Sequence, residues 1–320
     1  MDKVFEDLYK IGIVPVIAID DAKDAEPLAK ALIDGGLPCA EVTFRTDAAE
    51  EAIRIISEKF PEMIVGAGTV LTTEQADRAK AAGAKFIVSP GFNRHTVEYC
   101  QKIGVPMAPG IATPGEVEQA MECGLDFVKF FPAEQNGGIA KIKAMAAPYA
   151  KMSFMPTGGI NKNNLNDYLS FDKILCAGGS WMVKKDLIAA GKFDEIRDLV
   201  ADAVDAMLGF KIKHVGINCT NEEEADKTAE TFDKLFGFTK KVGNSSIFAG
   251  TAVEVMKSVG RGTHGHIAIG TNNVDRAVYH LERKGFKIDE SSIGRDDKGR
   301  MKVAYLADEI GGFGVHVCRN

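Results

Sequence analysis

A single lysine interrupts an apolar, aromatic stretch, DFVKFFPAE, at residues 126–134. In an extended strand Phe127, Lys129 and Phe131 share one face, and the opposite face is apolar throughout. A strand that is apolar on both faces is typical of a parallel sheet covered on both sides. Lysines are rarely buried without compensation, so two explanations stay open. Either the long stem of Lys129 reaches solvent, or burial disfavours its charged form and leaves a nucleophilic amine.

Other residue types that could do chemistry follow several further apolar runs. A carboxylate such as Glu41 can shuttle protons, and an arginine such as Arg45 offers a planar fork for a substrate carboxylate. Glycine-rich turns can present backbone N–H groups to a phosphate. The plain alternatives are a Glu41–Arg45 ion pair, ordinary strand threonines and tight turns without a ligand. The candidates are Glu41, Arg45, Thr69, Lys129, Phe131, Thr157, Gly158, Gly159, Gly178, Gly179 and Ser180.

The elements that must position these residues alternate short apolar runs with longer amphipathic stretches. Eight such runs within about 200 residues predict a (β/α)8 TIM barrel rather than an open doubly wound sheet. No GxGxxG or GxxxxGK[ST] motif supports the open sheet. In such a barrel the carboxyl ends of the strands carry the catalytic groups, so the candidates gather at one rim and favour a single aldol-type site. The runs are residues 11–19, 39–44, 63–70, 85–90, 105–111, 126–131, 153–159 and 173–179.

An internal repeat follows the barrel pattern. From residue 211 the chain reads strand, helix and three short strands, and then repeats this order in a second copy of about 50 residues. Five of the six histidines fall in this last third. The sequence thus predicts an α/β barrel over 1–209 and a smaller α+β domain of paired βαβββ units over 211–320.

Composition restricts the partners and the compartment. A formal net charge of −6 disfavours nucleic acid or an anionic membrane as the main partner. The six cysteines form no CxxC pair, and neither a secretory signal nor a membrane span is recognisable. We expect a cytoplasmic protein that acts on a small molecule.

Six motifs of the first domain resemble those of 2-keto-3-deoxy-6-phosphogluconate (KDPG) and 4-hydroxy-2-oxoglutarate (KHG) aldolases. They are EVTFRT (41–46), GAGTV (66–70), SPG (89–91), VKFFPAE (128–134), PTGGI (156–160) and GGSWM (178–182). The resemblance implies a Schiff base on Lys129, acid–base catalysis by Glu41 and a substrate carboxylate on Arg45. It implies further substrate contacts by Thr69, Phe131 and Thr157, and phosphate binding by Gly158, Gly159, Gly179 and Ser180. It also implies a homotrimer that needs no cofactor for the aldolase reaction.

The paired βαβββ units resemble the vicinal-oxygen-chelate superfamily, which includes glyoxalases. This resemblance implies a divalent metal held by His214, Glu254, His266 and His316. Histidine at the last position departs from the glutamate usual in glyoxalases. The alternative is a domain that has lost its metal and serves in oligomerisation or ligand sensing.

Three functions follow from these patterns. The first is a class I aldolase that acts on a 2-keto acid and carries an accessory domain. The second is a non-catalytic barrel that binds a keto acid and signals through the C-terminal domain, although a binder has no need of a nucleophile. The third gives the C-terminal domain a metalloenzyme activity of its own.

Overall fold

The computed structural model describes all 320 residues and divides into two compact units, Met1–Met207 and Leu208–Asn320. Each unit has its own sheets and its own buried side chains. None of the helices is both long and apolar enough to cross a membrane. All six cysteines are free thiols.

Parallel strands form the centre of the first unit. Their order is β5-β4-β3-β2-β1-β9, with β6-β7-β8 as a second run, and a bridge from Thr157 to Gly178 links the ends of β8 and β9. Pro109 separates β5 from β6, so these two segments are one strand of the barrel. The predicted eight-stranded (β/α)8 barrel is therefore confirmed. The strands are β1 (Ile13–Ile17), β2 (Cys39–Thr43), β3 (Ile64–Gly68), β4 (Ile87–Val88), β5 (Met107–Ala108), β6 (Gly110–Ile111), β7 (Phe127–Phe130), β8 (Ser153–Pro156) and β9 (Ala177–Gly179).

Helices alternate with these strands and begin and end at residues suited to those positions. Before α6, Thr113 and Glu116 form a reciprocal capping box, and Pro114 occupies the first turn, where its missing N–H costs nothing. Gly36 ends α2 in the left-handed conformation that favours glycine. The helices are α1 (Lys3–Ile11), α2 (Ala25–Gly35), α3 (Ala49–Lys59), α4 (Thr73–Ala81), α5 (Arg94–Lys102), α6 (Pro114–Glu122), α7 (Gly138–Ala146), α8 (Leu165–Leu169), α9 (Lys185–Ala189) and α10 (Phe193–Leu208).

One eight-stranded mixed sheet and two helices make up the second unit. The strand order is β11-β12-β13-β10-β14-β17-β16-β15, so each half runs first, fourth, third and second strand outward from the centre. This order confirms the predicted repeat of two βαβββ units. The elements are β10 (Lys211–Asn218), α11 (Glu222–Phe236), β11 (Lys240–Val242), β12 (Ser246–Ala249), β13 (Val253–Met256), β14 (Gly265–Thr271), α12 (Val274–Arg283), β15 (Ile288–Arg295), β16 (Met301–Leu306) and β17 (Phe313–Arg319).

Candidate active site and candidate metal centre

Strands β7 and β2 bring Lys129 and Glu41 together inside the barrel, although 88 residues separate them in the chain. The Lys129 Nζ atom lies 3.0 Å from Glu41 Oε1 and 3.5 Å from Oε2. The two residues are only 5% and 0% exposed. Lys129 therefore does not reach solvent, and Glu41 pairs with Lys129 instead of Arg45. Such a buried pair places a proton donor and a proton acceptor in direct contact.

Gly68 on the neighbouring strand makes room for the Glu41 side chain. A Cβ atom added at Gly68 would lie 2.2 Å from Glu41 Oε1 and 2.6 Å from its Cγ. No real Cβ atom tolerates such contacts, so any other residue would displace the carboxylate from Lys129. We did not predict this residue from the sequence, although the second glycine of GAGTV marks it.

Phe131 and Thr157 lie beside the lysine at the carboxyl ends of β7 and β8. The Lys129 Nζ atom is 5.1 Å from the centroid of the Phe131 ring, a cation–π distance. The Thr157 hydroxyl is buried and has no hydrogen-bond partner. Buried hydroxyls are normally satisfied, so this one is available to a bound molecule. A Cβ atom at Gly178 would lie 2.4 Å from the Thr157 Oγ1 atom, so glycine is required there.

Arg45 and Thr69 follow the ends of β2 and β3. The Arg45 side chain is exposed, and its Nε atom donates to Thr43 Oγ1 at 3.2 Å. Thr43 in turn donates to the Ile17 carbonyl at 2.8 Å, which fixes the acceptor for the arginine. Thr69 has a φ of 58°, and a β-branched residue in this left-handed region is strained by about 1 kcal/mol or more. Strained residues of this kind cluster at functional sites.

The predicted phosphate-binding residues lie at the ends of β8 and β9, which the Thr157–Gly178 bridge holds side by side. Gly158 and Gly159 have φ values of 102° and 81°, which only glycine adopts at no steric cost. Ser180 directly follows Gly179 and is exposed. Two backbone bonds, Ala133 N–H to Thr157 O at 2.8 Å and Glu134 N–H to Gly158 O at 3.1 Å, hold the loop after β7 against this turn.

Three of the four residues named as metal ligands converge in the second unit. The Nε2 atoms of His214 and His266 are 3.1 Å apart, and they lie 3.0 and 3.1 Å from Glu254 Oε2. The Ser246 hydroxyl donates to the other carboxylate oxygen, Oε1, at 2.5 Å and orients it. Atoms at this spacing can all lie about 2.1 Å from one ion, the usual metal–nitrogen and metal–oxygen distance. The donor set therefore fits a divalent metal.

These three contacts cannot all be hydrogen bonds. If both imidazoles donate to Glu254, their N–H groups oppose each other across 3.1 Å. If one imidazole accepts from the other, its lone pair faces the Glu254 oxygen. Either arrangement of the protons leaves one of the three contacts unfavourable. A cation bound by all three atoms would make each of these short distances favourable.

His316 lies next to this triangle but not within it. Its ring centroid is 5.3 Å from that of His266 and 5.8 Å from that of His214, and its buried Nδ1 atom has no hydrogen-bond partner. Burial, together with His266 and His214, lowers the pKa of His316 to about 4. Burial opposes ionisation of Glu254, but its hydrogen bonds from His214, His266 and Ser246 outweigh it and hold the Glu254 pKa well below its ordinary value. A neutral imidazole and an ionised carboxylate are the forms that bind metals.

A barrel with a buried lysine–glutamate pair among strand ends is the arrangement of a lyase that works through a Schiff base. A family model described as KDPG and KHG aldolase matches residues 4–199, more than half of the chain. The chain therefore belongs to the KDPG and KHG aldolase family. The matched segment lies in the first unit and does not extend into the second.

Individual relatives agree with this assignment. The 2-dehydro-3-deoxy-phosphogluconate aldolase of Treponema pallidum (strain Nichols) is 51% identical over 199 residues, which are 62% of this chain and 95% of the relative. The KHG/KDPG aldolase of Escherichia coli (strain K12) is 45% identical over 193 residues, 60% of this chain and 91% of the relative. The structure of KDPG aldolase from Legionella pneumophila, with pyruvate captured as a covalent carbinolamine, is 38% identical. It has a TM-score of 0.61 and covers 62% of this chain and 97% of its own.

Proposed function

We propose that the first unit is a class I aldolase that cleaves KDPG to pyruvate and D-glyceraldehyde 3-phosphate, KHG to pyruvate and glyoxylate, or both. The observation that carries this proposal is the buried contact between Lys129 Nζ and Glu41 Oε1 at 3.0 Å. The names of the relatives support the choice of substrates.

The first chemical step joins the substrate to the lysine. Glu41 takes a proton from the Lys129 ammonium, and the freed amine attacks the C2 ketone of the substrate to give a carbinolamine. Glu41 then returns the proton to the carbinolamine hydroxyl, which leaves as water. The product is a protonated Schiff base on Lys129, and Glu41 is again ionised.

The second step breaks the carbon–carbon bond. Ionised Glu41 removes the proton of the C4 hydroxyl, the C3–C4 electron pair moves into the iminium, and the aldehyde leaves. An enamine of pyruvate remains on Lys129, and Glu41 delivers the proton back to C3. Addition of water to the resulting imine releases pyruvate and the free lysine. Because the iminium itself accepts the electrons, we propose that this reaction uses no cofactor.

The surrounding residues would bind the substrate at defined atoms. We assign the substrate carboxylate to Arg45, whose guanidinium is exposed beyond the end of β2. The unpartnered hydroxyl of Thr157 would bond a substrate oxygen near Lys129. Thr69 and Phe131 would line the same space. The phosphate would lie on the backbone at Gly158, Gly159, Gly179 and Ser180, because glycine turns at strand ends expose N–H groups to anions.

Borohydride reduction in the presence of pyruvate tests the proposal. We expect a reduced pyruvyl adduct on the peptide that contains Lys129, located by peptide mass spectrometry. Labelling of a different lysine would move the site. No labelling of folded protein would favour a barrel that only binds keto acids. We also propose the homotrimer that the family resemblance implies, which sedimentation analysis of the full chain tests.

We further propose that the second unit is a vicinal-oxygen-chelate-like domain that binds one divalent metal through His214, Glu254 and His266, with His316 as a fourth ligand. Three converging donor atoms and the unpartnered His316 imidazole support it. Histidine and carboxylate donors suit Zn, Fe, Ni or Mn. When bound, such an ion supplies Lewis-acid polarisation of an oxygen ligand. Metal analysis of the reconstituted full chain tests the proposal, and a content near one equivalent per chain is expected.

A further inference from the structure

We propose that the second unit binds a small carboxylate anion beside the His214–Glu254–His266 cluster, with the carboxylate facing Arg261 and Tyr305. This inference rests on the metal site proposed above and names the class of molecule that the site accepts. The sheet of the second unit has an internal symmetry that several side chains break.

The strand register relates the two halves of the sheet. In the antiparallel pair β10–β14, His214 lies opposite Ala268 and Gly216 opposite His266. His214 and His266 are therefore equivalent positions, as are Gly216 and Ala268. Gly216 also pairs with Glu254 on β13.

The outer strands extend the equivalence. Ala268 pairs with His316 on β17, so His316 is the counterpart of Glu254. One further strand out, Phe248 pairs with Glu254 and Tyr305 pairs with His316. Phe248 and Tyr305 are therefore counterparts as well.

Two of these pairs break the symmetry. One half of the site carries Glu254 and the apolar Phe248. The centroid of the Phe248 ring is 5.5 Å from that of the His214 ring. The other half carries His316 and Tyr305, whose ring centroids are 4.5 Å apart. This Tyr305 half places a phenol where the other half has the apolar Phe248 ring. An asymmetric site of this kind gives a small ligand one orientation.

Arg261 lies at the Tyr305 half and brings guanidinium N–H donors to it. Its guanidinium carbon lies 4.8 Å from the centroid of the Tyr305 ring, and the side chain is 46% exposed. Asp289 pairs with the Nη1 atom, which leaves the other guanidinium N–H groups for a second acceptor. Asn218 fixes the loop, because its Nδ2 donates to the Gly262 carbonyl at 2.9 Å and its Oδ1 accepts from Gly260 N–H at 3.1 Å.

Charge balance favours an anion at this position. A divalent ion held by one carboxylate and neutral imidazoles keeps a net positive charge, and the Arg261–Asp289 pair beside it adds no net charge of its own. The planar fork of an arginine matches the two oxygens of a carboxylate. A small carboxylate anion therefore fits the Tyr305 half better than a neutral molecule does.

Cobalt-loaded full-length protein and oxalate as the probe test this inference, since oxalate has no ketone and forms no Schiff base. The visible absorption of bound Co²⁺ reports on the second unit alone. We expect oxalate to change this spectrum saturably and ethylene glycol to leave it unchanged. We expect Arg261→Gln to weaken oxalate binding at least tenfold without changing Co²⁺ affinity, and Arg261→Lys to restore part of the loss. The matched control Arg283→Gln, an exposed arginine at the end of α12, should bind oxalate like the unmodified chain.

Each other result counts against the inference. A spectrum that oxalate does not change overturns it, and so does an Arg261→Gln variant that binds oxalate within twofold of the unmodified chain. Loss of cobalt on dialysis with oxalate would show stripping of the ion and also overturns it. Failure of the chain to bind Co²⁺ at all, measured before oxalate is added, overturns the metal site itself and with it the anion site.

Discussion

In the first unit a buried cation meets a buried anion, whereas in the second unit two imidazoles and a carboxylate crowd around one point. The Lys129–Glu41 pair is electrostatically complete, because each charge has its counter-charge within the chain. The His214–Glu254–His266 triangle is not complete, because no arrangement of protons satisfies its three short contacts. The first site can therefore hold its geometry alone, whereas the second has the contacts expected of the metal site that we propose.

In both units, nevertheless, a glycine makes room for a side chain of the proposed site. Gly68 lies under Glu41, and Gly216 lies under the His266 ring, where an added Cβ would come within 2.0 Å of Cε1. In each case the neighbouring strand has a glycine at the point where the larger side chain lies across it. If the two sites are independent, a substitution in one should leave the other unaffected.

Removal of the nucleophile should have the largest effect. Lys129→Met should lower kcat for aldol cleavage by about 10⁴-fold or more, because no other residue replaces the amine. Metal binding by the second unit should not change. Steady-state assays and metal analysis on the same preparation check this, with Lys30→Met, an exposed lysine on α2, as the control. Cleavage that survives in Lys129→Met would place the nucleophile elsewhere.

Loss of the proton acceptor should come next. Glu41→Gln keeps the shape of the side chain but cannot accept a proton, so kcat should fall by about 10³-fold. Rapid-quench borohydride trapping should show a correspondingly slower adduct on Lys129. Glu58→Gln, exposed on α3, serves as the matched control. Unchanged trapping kinetics would assign the proton transfers to another group.

Removal of a proposed metal ligand from the second unit should weaken metal binding and leave aldol cleavage unchanged. His266→Ala should weaken divalent metal binding by about 100-fold or more and leave aldol cleavage within twofold of the unmodified chain. A chelator should likewise remove the metal without inhibiting cleavage. His264→Ala tests a histidine two positions away whose ring packs on Phe313. Equal metal affinity in the two variants would contradict the assigned ligand set.

The two glycine positions should give the smallest and most selective effects. Gly68→Ala should reduce kcat by about 10-fold to 100-fold, because the new Cβ displaces the Glu41 carboxylate. Gly216→Ala should weaken metal binding by a similar factor and spare cleavage. Gly115→Ala is the control, since nothing lies within 4 Å of a Cβ there. If either substitution impaired both activities, the two sites would not be independent.

The spacing of apolar runs and the order of the predicted elements were enough to predict both folds. Eight apolar runs with intervening helices indicated the barrel, because strands covered on both faces need uninterrupted apolar residues. The repeat in the second unit was predictable because two copies of the same order of strands and helices follow each other in the chain. The family assignment was also accessible, because GAGTV, KFFPAE and PTGG retain recognisable side chains and spacing.

Contacts between distant residues depended on the tertiary structure. The sequence allowed Glu41 to pair with Arg45, four residues away, but the barrel brings it to Lys129, 88 residues away. The reason is that all strands of the barrel end at one rim and their inward side chains meet inside it, so contacts there depend on strand order and register and not on separation along the chain. The same reason hides the role of Gly68, which appears only when its neighbour on β2 is known.

In the second unit, likewise, the sequence determined which residue types occupy the repeated strands, and only the register decided how they meet. Pairing of Gly216 with Glu254 and of Ala268 with His316 places these two residues at equivalent positions. It also brings His214, His266 and Glu254 to one point and leaves His316 alongside them. A shift of one residue in any of these strands would turn its ligand to the opposite face of the sheet. The sequence therefore determined the residue types of each proposed site, and the strand order and register of the sheets determined its geometry.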